Sequence, residues 1–97
     1  MTGMELIAAE RQRQIDVEGW TAEHDAQHTN GELLQATICY TSYALGLILG
    51  QPYPKIKGSW PWDFQYWKPG ADPICNLIKA GALIAAEIDR LQRKRAP

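Results

Sequence analysis

The stretch that most constrains the fold is residues 59–70, which hold three of the four tryptophans together with Phe64 and Tyr66. We call it the tryptophan segment. Pro61 and Pro69 exclude a regular helix here, because proline lacks a backbone donor and restricts the residue before it. A loop with such large side chains either covers a hydrophobic core as a lid or walls a binding site with rings and indole donors. The two roles are compatible, and both stay open.

Length and charge limit the classes of protein to consider. We expect the 97 residues to form a single helical domain, 1–97, with one modest core. A net charge of −1 gives no general attraction for nucleic acids or anionic membranes. The most apolar run, 36–49, is too short and too rich in Thr, Ser and Tyr to span a bilayer, and no signal peptide is recognisable. We therefore expect a cytoplasmic protein without a membrane partner. Cys39 and Cys75 are expected to be buried thiols, with a disulfide as the alternative.

Apolar periodicity predicts an all-α fold, a compact three-helix domain with a long aromatic-rich loop between the second and third helices. The helices are predicted near residues 3–18, 31–49 and 73–93. Capping boxes at 2–5 and 29–32 mark the first two starts, and Asp72-Pro73 marks the third. The second helix is apolar nearly all round, so we expect it to be central and covered on several sides. This pattern in a short chain also predicts a homo-oligomer.

The third predicted helix has two contrasting stripes. Its apolar stripe consists of Ile74, Leu77, Ile78, Gly81, Ile84, Ala85, Ile88 and Leu91. The opposite stripe consists of Asn76, Lys79, Leu83, Glu87 and Arg90. In one interpretation, the tryptophan segment and the Leu83 side of this helix form an oligomer or partner interface, because tryptophan and arginine concentrate at such interfaces.

Residues 19–31 hold both histidines, and we call them the histidine segment. His24, Asp25 and His28 are metal-compatible residue types, but their spacing lacks the catalytic Glu of a zincin, and no metal site is assigned. The structural alternative is that His24, Asp25 and Thr29 satisfy backbone groups of the loop. Arg11 falls on the apolar stripe of the first helix, where it needs either a buried carboxylate or an anionic ligand as its partner.

Aromatic, basic and acidic residues together suit recognition of a nucleotide-like small molecule. Aromatic rings would stack on the base, Arg11, Lys68 and Lys79 would hold phosphate, and Asp25 or Asp63 would accept from base or ribose. The candidate ligand-binding residues are Arg11, Trp20, His24, Asp25, His28, Trp60, Trp62, Asp63, Trp67, Lys68 and Lys79. We predict that the tryptophan and histidine segments meet at one pocket beside Arg11 and Lys79. The alternative is that the rings pack as core and the charged residues are solvated or cap turns.

Several motifs spread over nearly the whole chain are distinctive in combination. They are Glu10-Arg-Gln-Arg-Gln14, Glu18-Gly-Trp-Thr, Glu23-His-Asp, His28, Gly31-Glu-Leu33, Trp60-Pro-Trp-Asp63, Trp67-Lys-Pro69 and residues 77–90. The chain thereby resembles a family of short phage and prophage proteins labelled dATP/dGTP diphosphohydrolase N-terminal domain. The resemblance implies nucleotide binding, and its label implies a metal-dependent purine dNTP diphosphohydrolase.

The carboxylates depart from the pattern that such hydrolysis requires. All-α nucleotide pyrophosphohydrolases hold Mg²⁺ with paired Glu-x-x-Glu and Glu-x-x-Asp motifs, and the chain has neither. Glu87 and Asp89 are two residues apart, and Glu5 and Glu10 are five apart, so neither pair shares a helix face. No catalytic residue or cofactor is therefore assigned, with Mg²⁺ expected only for a hydrolase. Two alternatives remain: sequestration of a nucleotide signal used in antiviral defence, and a non-enzymatic oligomeric interaction module.

Overall fold

A computed structural model describes residues 1–51 and 59–96. Its helices are α1 (Gly3–Asp16), α2 (Ala22–Asp25), α3 (Glu32–Leu49) and α4 (Pro73–Arg95), with a 3-10 turn at Phe64–Tyr66. The described ranges contain no strand, which confirms the all-α prediction. The three long helices lie where they were predicted, with ends shifted by one or two residues. The single turn α2 lies in a region predicted to be a loop, and residues 52–58 of the long loop lie outside the described ranges.

Side-chain caps begin α1 and α4 as the sequence predicts. The Thr2 hydroxyl accepts from the Glu5 backbone N–H at 3.2 Å, and the Glu5 carboxylate accepts from the Thr2 N–H at 2.9 Å. Asp72 accepts from the Ile74 N–H at 2.9 Å, and Pro73 occupies the first turn of α4. Each cap satisfies a backbone donor that the helix itself leaves free.

The capping box predicted at residues 29–32 is wrong. Gly31 is the N-cap of α3, with a φ of 79°, and it makes no side-chain cap. This left-handed conformation suits glycine and turns the chain before Thr29 could cap the helix. The Glu32 carboxylate instead accepts from the Asn30 N–H at 2.6 Å.

Helices α3 and α4 pack against each other, and α1 and α2 pack against α4. The pair α3–α4 is antiparallel, because Lys79, early in α4, lies over Tyr40 in the middle of α3, whereas Arg90, late in α4, interacts with Glu32 at the start of α3. Hydrogen bonding to Glu87 raises the pKa of Arg90, burial opposes this, and the charges of Glu87 and Glu32 raise it further. Arg90 lies near the end of α4 and Glu32 at the start of α3, so opposite ends of the two helices meet. The core between them consists of Leu33, Ala36, Tyr40, Ala80, Leu83 and Ala86.

Apolarity alone favours burial of the isoleucine-rich and leucine-rich stripe of α4, but the structure buries the opposite stripe. Leu83 is only 1% exposed, and Asn76, Glu87 and Arg90 are buried beside it. The interpretation that placed the Leu83 side at an interface is therefore wrong. Burial of this stripe is feasible because Glu87 and Arg90 are hydrogen-bonded to each other, and alanines let the helices approach closely.

The aliphatic side chains of α3 are also less covered than predicted. Leu34, Ile38 and Leu45 are exposed, so α3 is covered by this chain mainly on one side. The helix begins at Glu32, and over its full length it is long and apolar enough to cross a membrane. Core helices of soluble proteins meet the same criterion, so it decides nothing by itself.

Both cysteines are free thiols, which removes the disulfide alternative. Cys39 is buried, and burial raises the pKa of its thiol. Cys75 is only half-buried, with its sulfur 3.1 Å from the Asp72 carbonyl oxygen. The prediction of buried thiols is thus confirmed for Cys39 alone.

Candidate functional site

An internal ion pair fixes the histidine segment against α1. The Arg11 guanidinium lies 3.0 Å from the carboxylate of Asp25, whose side chain is 1% exposed. Arg11 also donates to the Trp20 carbonyl at 3.3 Å. Of the two partners expected for Arg11, the structure therefore shows the buried carboxylate. These contacts hold Trp20 and α2 in place.

Helix α2 brings the two histidines together. Thr21 caps it by accepting from the His24 N–H at 3.3 Å, a cap that was not predicted from the sequence. The rings of His24 and His28 then meet edge to face, with centroids 4.9 Å apart. Each histidine also lies near a carboxylate. His28 Nδ1 lies 3.4 Å from Glu32, and His24 Nδ1 lies 3.5 Å from Asp25.

Trp60 and Trp67 serve mainly to cover the core. Both rings pack on Tyr40, with centroids 5.6 Å and 4.7 Å from its ring. The Trp60 indole N–H donates to the Asp63 carbonyl at 3.1 Å, and the Lys68 N–H donates to the Tyr40 hydroxyl at 3.4 Å. Burial raises the pKa of that hydroxyl despite the hydrogen bond. The lid role therefore belongs to this part of the tryptophan segment.

Trp62 packs against the core, with its ring centroid 5.4 Å from that of Trp60, and it also meets the histidine segment. Its ring centroid lies 5.1 Å from that of His28 and 6.4 Å from that of Trp20. Its indole N–H is buried and has no hydrogen-bond partner among the described residues. Buried donors are usually paired, so an unpaired one calls for an explanation.

The two segments enclose a cleft of about 470 Å³, which we call the aromatic cleft. Its lining residues are Glu18, Trp20, His24, His28, Trp62, Asp63 and Tyr66. The volume falls within the range of roughly 300–1,000 Å³ that is typical of small-molecule sites. The prediction that both segments meet at one pocket agrees with this geometry. Arg11 and Lys79 do not line the cleft.

A smaller hollow of about 60 Å³ adjoins the aromatic cleft and shares Glu18, Trp20, Trp62 and Tyr66 with it. Its other lining residues are Glu10, Arg13, Gln14, Tyr40, Trp60, Lys68, Lys79 and Leu83. With a water molecule occupying about 30 Å³ of liquid, this hollow suits one or two waters. Cations therefore lie beside the aromatic cleft but outside it.

A chain of polar contacts holds Glu18 at the mouth of the aromatic cleft. Arg13 lies 2.8 Å from Glu10 and 3.1 Å from Glu18. Burial raises the pKa of Glu10, but the hydrogen bonds and charge of Arg13, with Gln14 and Lys79, lower it overall. Gln14 is 2% exposed and donates to Glu10 at 3.1 Å, while its carbonyl oxygen has no partner among the described residues.

Sequence reasoning assigned no role in the site to Glu10, Gln14 or Glu18. The available signal was their presence in the quoted motifs, Glu10 to Gln14 and Glu18 to Thr21.

The Lys79 side chain makes contacts within the protein and is not free to hold a ligand. Its ammonium donates to the Lys68 carbonyl and lies 5.5 Å from the Tyr40 ring centroid, which ties the tryptophan segment to α4. The Lys68 side chain is exposed.

The described residues contain no group of three His, Cys, Asp or Glu side chains arranged to hold a metal ion. The chain matches no protein-family model, no curated protein and no solved structure. The candidate site is therefore defined by its own geometry: an aromatic cleft with two carboxylates, an unpaired indole donor and a basic neighbourhood.

Proposed function

We propose that the protein binds a nucleotide or a nucleotide-derived molecule, with the base in the aromatic cleft. The observation that carries this proposal is the position of Trp62 in a cleft of about 470 Å³, with its ring facing Trp20 and His28 and its indole N–H unpaired. Stacking of a base on an aromatic ring is worth about 1–3 kcal/mol, and the indole can donate to a base nitrogen or carbonyl.

The acidic residues of the cleft supply complementary acceptors. Glu18 and Asp63 can accept from an exocyclic amine of the base or from ribose hydroxyls. Phosphate groups would extend past Tyr66 toward the exposed ammonium of Lys68, since the cleft itself has no lysine or arginine. Arg11 and Asp25 would act indirectly, because their ion pair positions Trp20 and His24.

A titration with matched variants tests the site. Ligands would be found by a thermal-shift screen of nucleosides, nucleotides and cyclic nucleotides, and their affinities measured by calorimetry. Trp62→Phe removes the indole donor and reduces stacking, so we expect binding about 10-fold weaker, which corresponds to about 1.4 kcal/mol. Trp67→Phe is the control, because Trp67 lines neither the aromatic cleft nor the hollow beside it. Unchanged affinity in a folded Trp62→Phe protein would refute the proposed site.

The phosphate assignment has its own test. Lys68→Met should weaken binding of a nucleotide and leave binding of the matching nucleoside unchanged, because it removes only a charge. Lys94→Met, an exposed position outside the cleft, is the control. Equal losses for nucleotide and nucleoside would contradict the assignment.

The fate of the ligand separates binding from turnover. After incubation with Mg²⁺, chromatography would show whether the nucleotide is recovered intact or releases diphosphate. Intact ligand would favour sequestration of the nucleotide, whereas diphosphate release would favour the hydrolase activity that the resemblance implies.

A further inference from the structure

The antiparallel pair of α3 and α4 exposes ten large aliphatic side chains. Leu47 lies on the same side of α3 as Tyr40, and the other nine are each between 38% and 62% exposed. We call them the outer face. They are Leu34, Ile38, Leu45, Ile48, Leu49, Ile74, Leu77, Ile84 and Ile88. Single exposed aliphatic residues are normal on protein surfaces, but contiguous apolar patches usually mark an interaction site.

Helix geometry places these side chains on one side of the pair. Tyr40 of α3 and Leu83 of α4 both point into the shared core. At 100° per residue, the exposed rows are centred about 130° around each helix from these two residues, in the same rotational sense. Antiparallel helices are related by a twofold axis perpendicular to both, so rows displaced in the same sense face the same side. The outer face is therefore one surface that extends across both helices.

The outer face also lacks charge. After Glu32, α3 contains no charged residue. Between Ile74 and Leu91, the apolar stripe of α4 also contains Ile78, Gly81 and Ala85, which are partly buried. Gly81 lies against the Ile7 side chain of α1, and Glu87 and Arg90 are buried on the opposite side of α4. A surface without charge is poorly suited to nucleic acid or a charged peptide, and well suited to another copy of itself.

The available area is close to what a dimer needs. At roughly 120–150 Å² for a fully exposed aliphatic side chain, nine half-exposed ones offer about 500–700 Å² of apolar surface. A standard stable interface buries about 800 Å² on each partner, part of it polar. The core within one chain, by contrast, consists of three alanines, Tyr40 and one leucine from each of α3 and α4. The largest aliphatic side chains of α3 and α4 thus remain available for a second molecule.

We infer that a second copy of the chain covers the outer face, so that two α3–α4 pairs form a four-helix bundle around a twofold axis. Such an interface is isologous, meaning that the same surface contributes from both copies. Packing of aliphatic rows from four helices is the usual construction of this kind of bundle. The inference does not depend on the proposed ligand.

Multi-angle light scattering and sedimentation velocity on the whole chain test the inference. The parent protein should have the mass of a dimer at micromolar concentration. Ile84→Glu would place two carboxylates in the interface of each dimer, so its dimer dissociation constant should rise by about 100-fold or more. Ile38→Glu makes the same test from α3. Both positions are exposed in the single chain, so helical circular dichroism should be unchanged.

Met4→Glu is the matched control, because Met4 is a large exposed hydrophobic residue on α1, outside the outer face. It should leave the dimer mass unchanged. A parent protein that is monomeric at high micromolar concentration would overturn the inference. So would a dimer whose mass resists both Ile84→Glu and Ile38→Glu, or co-sedimentation of the parent protein with phosphatidylcholine vesicles, which would assign the face to lipid. If either variant loses its helical signal, the other variant and the parent mass decide.

Discussion

The two sides of the α3–α4 pair follow opposite rules of composition. The inner side buries Asn76, Glu87 and Arg90 among alanines, whereas the outer side exposes isoleucines and leucines. The inner polar groups have partners: Glu87 and Arg90 bond each other, and Asn76 bonds the backbone around Gly70. Burial in this protein therefore follows pairing and close helix approach as much as apolarity, and the proposed dimer would account for the exposed outer side.

Removing one member of a buried polar pair should therefore lower the free energy of unfolding more than any change on the outer side. Arg11→Met should lower the free energy of unfolding by about 3–5 kcal/mol, because it leaves the carboxylate of Asp25 buried without its cation. Urea denaturation monitored by circular dichroism measures the change. Arg13→Met is the control: its ion pairs with Glu10 and Glu18 involve a 43% exposed side chain, so a loss below about 1 kcal/mol is expected. Equal losses in both variants would break the distinction.

Asn76→Ala should also lower the free energy of unfolding substantially. The Asn76 side chain is fully buried, accepts from the Gly70 N–H at 2.9 Å and donates to the Gly70 and Asp72 carbonyls at 3.0 Å and 3.2 Å. Its removal leaves these backbone groups unpaired, for a loss of about 2–4 kcal/mol in the free energy of unfolding. Asn30→Ala, at an exposed position, should change it by less than about 0.5 kcal/mol. A loss for Asn76→Ala no greater than for the control would contradict this role.

Local signals explain which parts of the fold were predictable. The cap formed by Thr2 and Glu5 and the Asp72-Pro73 start depend on residues that are close in sequence, and both are confirmed. The side of α4 that faces the core was not predictable in the same way. The Glu87–Arg90 pair is itself local, but the burial of its side of α4 depends on packing of Ala80 and Ala86 against α3, and apolarity alone favours the other side. The failed box at Thr29 reflects the left-handed Gly31, whose conformation its sequence context does not specify.

The candidate site was likewise predictable only in part. Aromatic composition pointed to a meeting of the two segments, and the contact of Trp62 with His28 provides it. A buried carboxylate was one of the two partners expected for Arg11, but its identity could not be predicted, because Asp25 is fourteen residues away. The partner of Lys79 was not predicted, because it is a backbone carbonyl eleven residues away. Such pairings depend on long-range geometry, so residue type alone left them as candidates for phosphate.

A direct comparison of the two sides uses one aliphatic residue from each. Leu83→Ala removes a core side chain and should cost about 2–5 kcal/mol of unfolding free energy. Ile88→Ala removes an outer side chain that is half exposed, and should cost about 1 kcal/mol or less when the protein is monomeric. Measuring both in the Ile84→Glu background separates folding from association. Similar losses for the two would show that the outer face is packed within a single chain.

The smallest effect concerns pH and the Glu10 carboxylate beside the hollow. Burial raises the pKa of Glu10, but hydrogen bonding and the charge of Arg13, with Gln14 and Lys79, lower it below its ordinary value in the folded protein. A carboxyl group whose folded pKa is depressed adds stability above its unfolded pKa, and loses it as the pH falls through the folded value. The protein should therefore lose stability below about pH 4.5 partly through this group.

Glu10→Gln should lower stability at neutral pH by under about 1 kcal/mol, since Arg13 is partly exposed, and should reduce the loss on acidification. Asp89→Asn, at an exposed position on α4, is the control for removing one carboxylate. Parallel pH profiles for the parent and Glu10→Gln would show that Glu10 contributes nothing to acid sensitivity, and that the network from Arg13 to Gln14 is held by packing rather than by charge.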